Sequence, residues 1–195
     1  MEQIYGINCA PFAKRGEYDE SAYASLTAMA ERTGASHVIL TPAGIQANVH
    51  DEQIDFCGEG TPSDDELIRL IQFAQSLDLK VILKPTVNCS NGEWRAWINF
   101  FDEDVPCEPK WCNWFDSHEA FQMHYARLAD KTGCVMFIPG CEMVLAQRRE
   151  AQWRHLIQRL RTVYRGPISY NTDKYQEHNV TWWDCVDVIS SSGYY

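Results

Sequence analysis

No apolar run in these 195 residues approaches the roughly 20 residues that carry a helix across a bilayer. The opening Met1-Glu2-Gln3-Ile4-Tyr5-Gly6 has neither a basic n-region nor an apolar h-region and reads straight into a strand. Without an export signal or an anchor, the expected location is the cytoplasm. Positive charge is scarce: 17 Lys and Arg stand against 27 Asp and Glu, a formal net charge of -10. Nucleic acid and anionic membrane both demand a basic surface, so neither is an expected partner. Internal repeats and linker-like stretches are missing, and the chain reads as a single domain over 1–195. The glycine-rich phosphate fingerprint of dinucleotide folds is also missing after the first strand, which weighs against an open doubly wound sheet.

What is present is cysteine, tryptophan and a regular alternation. Eight cysteines would suggest a disulfide framework in a short secreted chain. Here Cys9, Cys134, Cys141 and Cys185 fall in or beside apparent strands, where a thiol behaves as a small hydrophobe. Cys57, Cys89, Cys107 and Cys112 fall in apparent loops. A zinc site from these with His50 or His118 is the competing reading. Reduced thiols with no metal and no cofactor are preferred, and His50, His118 and His124 are read as surface or loop histidines. Seven tryptophans are many for this length. Trp94, Trp97, Trp111 and Trp114 crowd one segment, Thr86 to Phe115, which reads as a long loop. Core packing accounts for any one Trp, whereas several in one loop look like flat platforms for stacking sugar rings.

Strand and helix patterns alternate along the whole chain. Strands are expected at Ile4–Asn8, His37–Thr41, Lys80–Pro85, Val135–Ile138, Pro167–Tyr170 and Val186–Ser190. Asp19, Ser63 with Glu66, and Ser117 supply N-cap chemistry for the intervening helices. The last helix, carrying Trp153, Leu156, Ile157, Leu160 and Val163, is expected to stop at Gly166. Such alternation predicts a parallel sheet with right-handed crossovers. Polar residues at strand ends, Asn8, Lys84, Glu142, Asp173 and Tyr194, favour a (β/α)8 TIM barrel, whose chemistry sits at that end. A full barrel takes about 250 residues and only six units are found here, so the expectation is an incomplete barrel truncated before strands seven and eight. Its open edges imply self-association as one outcome. Glu142, just past the buried Val135-Met136-Phe137-Ile138 run, is the leading candidate for a catalytic carboxylate. A structural ion pair is the plainer role for any Glu.

Several motifs together resemble glycoside hydrolase family 113. They are Leu83-Lys84-Pro85, Trp111-Cys112-Asn113-Trp114-Phe115, Ile138-Pro139-Gly140-Cys141-Glu142-Met143, Trp153-Arg154-His155-Leu156-Ile157, Tyr164 to Tyr170, and Trp183 to Ile189. The resemblance runs in order over nearly the whole chain. It implies a retaining β-glycanase acting chiefly on β-1,4-mannan or manno-oligosaccharides, with Glu142 as general acid/base. Tyr194 would hydrogen-bond a nucleophile that belongs on strand seven. Lys84 and Asn88 would meet sugar hydroxyls, Trp94 would stack on a ring, and Asp173 would join the substrate contacts. Cys141 stands where the wider clan has Asn. Xylan or another β-glycan, and a non-catalytic carbohydrate-binding role for the chain, stay open beside mannan hydrolysis. Endo and exo action are equally open.

Overall fold

The computed structural model describes residues 3–9 and 13–193. Strand β1 (Gly6–Cys9) is followed by helix α1 (Glu20–Thr33), β2 (His37–Leu40) and β3 (Ala43–Gln46). Helix α2 (Asp64–Ser76), β4 (Lys80–Leu83), β5 (Thr86–Cys89) and a two-residue-strand hairpin, β6 (Phe101–Asp102) with β7 (Val105–Pro106), come next. Helix α3 (Glu108–Thr132), β8 (Met136–Phe137), α4 (Glu150–Leu160), β9 (Ser169–Asp173) and β10 (Val188–Ser192) complete the order.

The sheet runs β1-β2-β4-β8, all parallel. Parallel bridges Phe137–Ile168 and Cys141–Asn171 carry it on to β9, which pairs in parallel with β10. This is a curved array of six parallel strands of an incomplete (β/α)8 barrel, with α-helices in the first four crossovers and β1 and β10 at its two edges. A second parallel pair, β3 with β5, extends the second and third barrel strands beyond their C-terminal ends.

Period-two alternation divides the strand side chains between two cores. Val38, Leu40, Val81, Leu83, Phe137, Ile168 and Tyr170 face outward into the main core with the helices. Ile82, Met136 and Ile138 face inward and form a small second cluster with Ile39 and Val188. Burying one such side chain contributes roughly 1.5–3 kcal/mol, and the outer layer holds most of them. Ile189, on the outward face of β10, is 61 % exposed, because no described helix covers it.

Local chemistry explains the helix ends. The Asp19 carboxylate accepts from the Ser21 and Ala22 amides, and Ser63 with Glu66 forms a reciprocal capping box. Gly34 and Gly133 close α1 and α3 in the left-handed conformation.

Two helix boundaries differ from the sequence expectation. Helix α3 begins at Glu108, not near Ser117, because Pro109 suits a first turn and Trp111, Trp114 and Phe115 continue its buried stripe. Ser117 instead accepts the Ile54 amide at 2.9 Å from within the helix. Helix α4 ends at Leu160, ahead of Gly166.

The apparent 86–115 loop therefore dissolves into β5, a 3-10 turn at Arg95–Trp97, the β6-β7 hairpin and the start of α3. Cys89 lies in β5 and Cys112 in α3, and all eight cysteines are free thiols. His118 is fully buried, stacked on Trp114 at 4.8 Å, and is no surface residue. His124 sits on α3 at 2.8 Å from the Asp64 carboxylate. Among the described residues no three His, Cys, Asp or Glu converge as a metal site, and no helix is long and apolar enough to cross a membrane.

Candidate active site

Glu142 is placed by the backbone that follows β8. The Ile138 amide donates to the Leu83 carbonyl at 2.9 Å, continuing the ladder past the named strand. Gly140 then passes so close to the outer aromatic layer that a Cβ there would sit 2.7 Å from both the Trp153 and Tyr170 rings. Only glycine admits that approach. The Asn171 amide donates to the Gly140 carbonyl at 3.2 Å, and the Glu142 amide donates to the Asn171 carbonyl at 2.8 Å. Glu142 itself has φ of 55°, a left-handed conformation that costs a residue with a Cβ roughly 1–3 kcal/mol. The surrounding hydrogen bonds hold it there.

The segment beyond is pinned by Gln147, which is fully buried. Its side-chain oxygen accepts from the Tyr170 hydroxyl at 3.0 Å and the Thr172 hydroxyl at 2.8 Å, and its carbonyl accepts from the Trp182 indole at 2.9 Å. A satisfied buried polar network of this kind fixes one backbone path.

Glu142 is only 7 % exposed and lines a cleft of about 440 Å3 at the C-terminal ends of the strands. Lys84, from the end of β4, and Asn8, from β1, line the same cleft with Asn171, Ser190 and Ser192. The Lys84 ammonium donates to the Asn171 side-chain oxygen at 3.5 Å, and the Asn171 amide group donates to Ser192 at 3.0 Å. Arg95 reaches in from the 3-10 turn, its Nη1 lying 3.5 Å from Glu142 Oε2. Burial pushes the Cys141 thiol up against the opposing pull of Lys84 and Arg95, so a neutral thiol lies beside Glu142.

Asn88 and Trp94 are not in this cleft. They line an adjoining cavity of about 620 Å3, and Arg95 is the residue common to both linings. Trp94 is 39 % exposed and meets Trp97 edge-on at 5.8 Å. Asp173 ends β9 half-buried and is absent from both linings. Tyr194 lies outside the described residues.

The sequence reading missed Arg95 and Asn171. Strand parity was the available signal for Asn171: with Tyr170 outward, Asn171 faces in, one alternation deeper than Asp173. Arg95 had no periodic signal, since a 3-10 turn has no strand or helix register to read. Of the tryptophans taken as loop platforms, Trp111 and Trp114 are 2 % and 0 % exposed and belong to the core. Of these four, only Trp94 and Trp97 are exposed, and Trp94 alone lines a cavity.

Chemically, the cleft offers one buried carboxyl beside two cations and a row of neutral hydrogen-bonding groups. That equips it to hold a polyhydroxylated ligand and to exchange a proton with it.

Comparison with known proteins sets this geometry in a family. A comparison with curated proteins returns no match. Among solved structures, a GH113 β-1,4-mannanase is 55% identical with a TM-score of 0.95, and a complex structure of a GH113 β-1,4-mannanase is 53% identical with a TM-score of 0.94. Both are matched over 100% of this chain and 63% of their own. The GH113 β-mannanase AaManA from Alicyclobacillus acidocaldarius, in complex with ManMIm, is 41% identical with a TM-score of 0.91, over 98% of this chain and 61% of its own. The chain thus spans less than two thirds of the length of these relatives. Residues 7–195 match Glycoside Hydrolase Family 113 itself, and on that span, with relatives this similar, the chain belongs to Glycoside Hydrolase Family 113.

Proposed function

We propose that this chain carries the acid/base half of a retaining β-1,4-mannan hydrolase, with Glu142 as the general acid/base. The observation that carries the reading is the position of Glu142, buried at the tip of the fourth barrel strand in a cleft lined by polar strand-end groups. Retaining hydrolysis uses two carboxyl groups about 5 Å apart: one protonates the departing oxygen while the other attacks the anomeric carbon, and the first then activates water as a base. Lys84 and Arg95 against Glu142 leave one positive charge in excess in the cleft lining, in a chain of net charge -10. A second carboxylate would balance it. Lys84 and Asn171 suit sugar hydroxyls, and Asn88 and Trp94 suit further units in the adjoining cavity. Mannan is favoured because the similar solved structures are β-1,4-mannanases.

A second reading rests on a specific observation. Glu142 is the one carboxylate among the described residues lining the cleft, so these residues alone suit saccharide binding without turnover. The test assays mannan, xylan and β-glucan in parallel. It uses the 195-residue chain alone and joined to the complementary segment of a solved Family 113 mannanase. Expected is hydrolysis of mannan with retained anomeric configuration in the joined form. Glu142→Gln should lose on the order of 10²–10⁴-fold in rate. Near-normal turnover by Glu142→Gln sinks the catalytic assignment, faster cleavage of xylan redirects the substrate, and affinity without turnover in both forms supports the binding reading.

A further inference from the structure

Arg95 contributes to the wall of both cavities and is held from three directions. Arg95 follows Trp94 and opens the 3-10 turn. Its Nε donates to the Val87 carbonyl of β5 at 3.0 Å, which fixes the guanidinium plane relative to the extended strand pair. Its Nη1 meets Glu142 Oε2 at 3.5 Å. The turn itself is tied to the Glu142 segment, because the Leu145 amide donates to the Ala96 carbonyl at 3.1 Å and Ala96 is fully buried. Trp94, Arg95 and Glu142 therefore belong to one braced unit, although the turn and the carboxylate are far apart in sequence.

We infer that Arg95 is a positioning residue for Glu142, which holds its carboxylate at the wall between the two cavities and favours its charged form. The side chains of the pair are 12 % and 10 % exposed, so solvent and salt screen their attraction little. Among the described residues, the other titratable groups that act on Glu142 or its segment are Lys84 from the end of β4, Cys141 from the same segment and Tyr170 from β9, whose ring lies on the outer side. Cys141 and Tyr170 are held neutral by burial. Lys84 adds a second positive charge but is engaged with Asn171, and it remains in place when Arg95 is changed. The catalytic meaning of this pair rests on the acid/base assignment of Glu142. A retaining acid/base must carry a proton in one step and be charged in the next. Arg95 stabilises the charged, base form, while a second carboxylate in the cleft would stabilise the protonated, acid form. The two neighbours set the midpoint of Glu142 from opposite sides.

The test reads the pair without turnover, so its outcome is independent of whether the chain hydrolyses mannan. In protein labelled with 13C at glutamate carboxyls, the Glu142 resonance is assigned by its loss in Glu142→Gln and followed against pH. Expected is a rise of about one pH unit or more in its midpoint in Arg95→Gln, with a smaller rise in Arg95→Lys, since an opposite charge at this range moves a carboxyl by about 1–3 units. A midpoint that does not move in Arg95→Gln overturns the inference, as does an equal rise in both variants. A second measurement needs no Arg95 variant. The Arg95 Nε–H resonance of the unaltered chain is expected to titrate with the Glu142 midpoint and to be flat in Glu142→Gln. A flat response in the unaltered chain overturns the inference too. Failure of the Glu142→Gln activity test leaves these titrations intact, so the two proposals fail separately.

Discussion

Trp94 and Trp97 lie close in sequence to Trp111 and Trp114, yet the two pairs have opposite fates. Trp94 and Trp97 flank and end a 3-10 turn, Trp94 lining the adjoining cavity, and are 39 % and 55 % exposed. Trp111 and Trp114 occupy the first turns of α3 and are sealed by Phe100, Phe115 and His118. The residue type is the same, so composition cannot separate them. Periodicity can: Trp111, Trp114, His118, Phe121 and Tyr125 recur at helical spacing, and a helical apolar stripe belongs against the sheet. Trp94 and Trp97 share no such stripe. Aromatic density marks a region, and the local period decides which members face water.

The contrast is broken or sharpened by four substitutions. Trp114→Ala has the largest expected effect, a loss of about 3–5 kcal/mol of unfolding free energy, read from a denaturant midpoint. A loss under a quarter of that would place Trp114 outside the core.

Next is His118, whose ring stacks on Trp114 and whose Nδ1 has no hydrogen-bond partner among the described residues. Burial lowers its pKa from the ordinary 6.5 to about 3. In the unfolded chain it takes up a proton as pH falls below 6.5, while the folded chain does not. The unfolded state therefore binds more protons, and this group's share of stability declines between pH 6.5 and 3 by up to about 1.4 kcal/mol per pH unit. His118→Phe should flatten that part of the curve relative to the unaltered chain; parallel curves would show that His118 contributes nothing there.

Trp94→Ala should leave stability within about 0.5 kcal/mol. Its effect should appear in mannotriose affinity, weaker by about 1 kcal/mol, or roughly fivefold, in calorimetry. Unchanged affinity with lowered stability would erase the distinction between the two pairs. Trp97→Ala is smallest, about 0.5 kcal/mol in the same binding measurement, through loss of the edge-on contact with Trp94.

Alternating apolar runs and capping residues were enough to read the barrel strands and the ends of several helices. Asp19, the Ser63–Glu66 box and Gly34 act within a few residues of themselves, so their roles need no tertiary information. The start of α3 was misplaced because Ser117 is a good cap in isolation, while the true start at Cys107 uses no side-chain cap and relies on Pro109 and packing. Glu142 was legible from its place after a buried strand. Its Arg95 partner was not, because that contact joins two loops whose only link is the fold.

By itself, then, the sequence determined the β/α alternation, the caps and the strand-end position of Glu142, since each follows from short-range periodicity and local hydrogen bonding. Tertiary structure alone decided that Lys84 meets Asn171 in the cleft and that Arg95 reaches Glu142 where two cavities adjoin. Those outcomes depend on which distant segments share a volume, and a parallel sheet with long crossovers sets that only when the whole array is assembled.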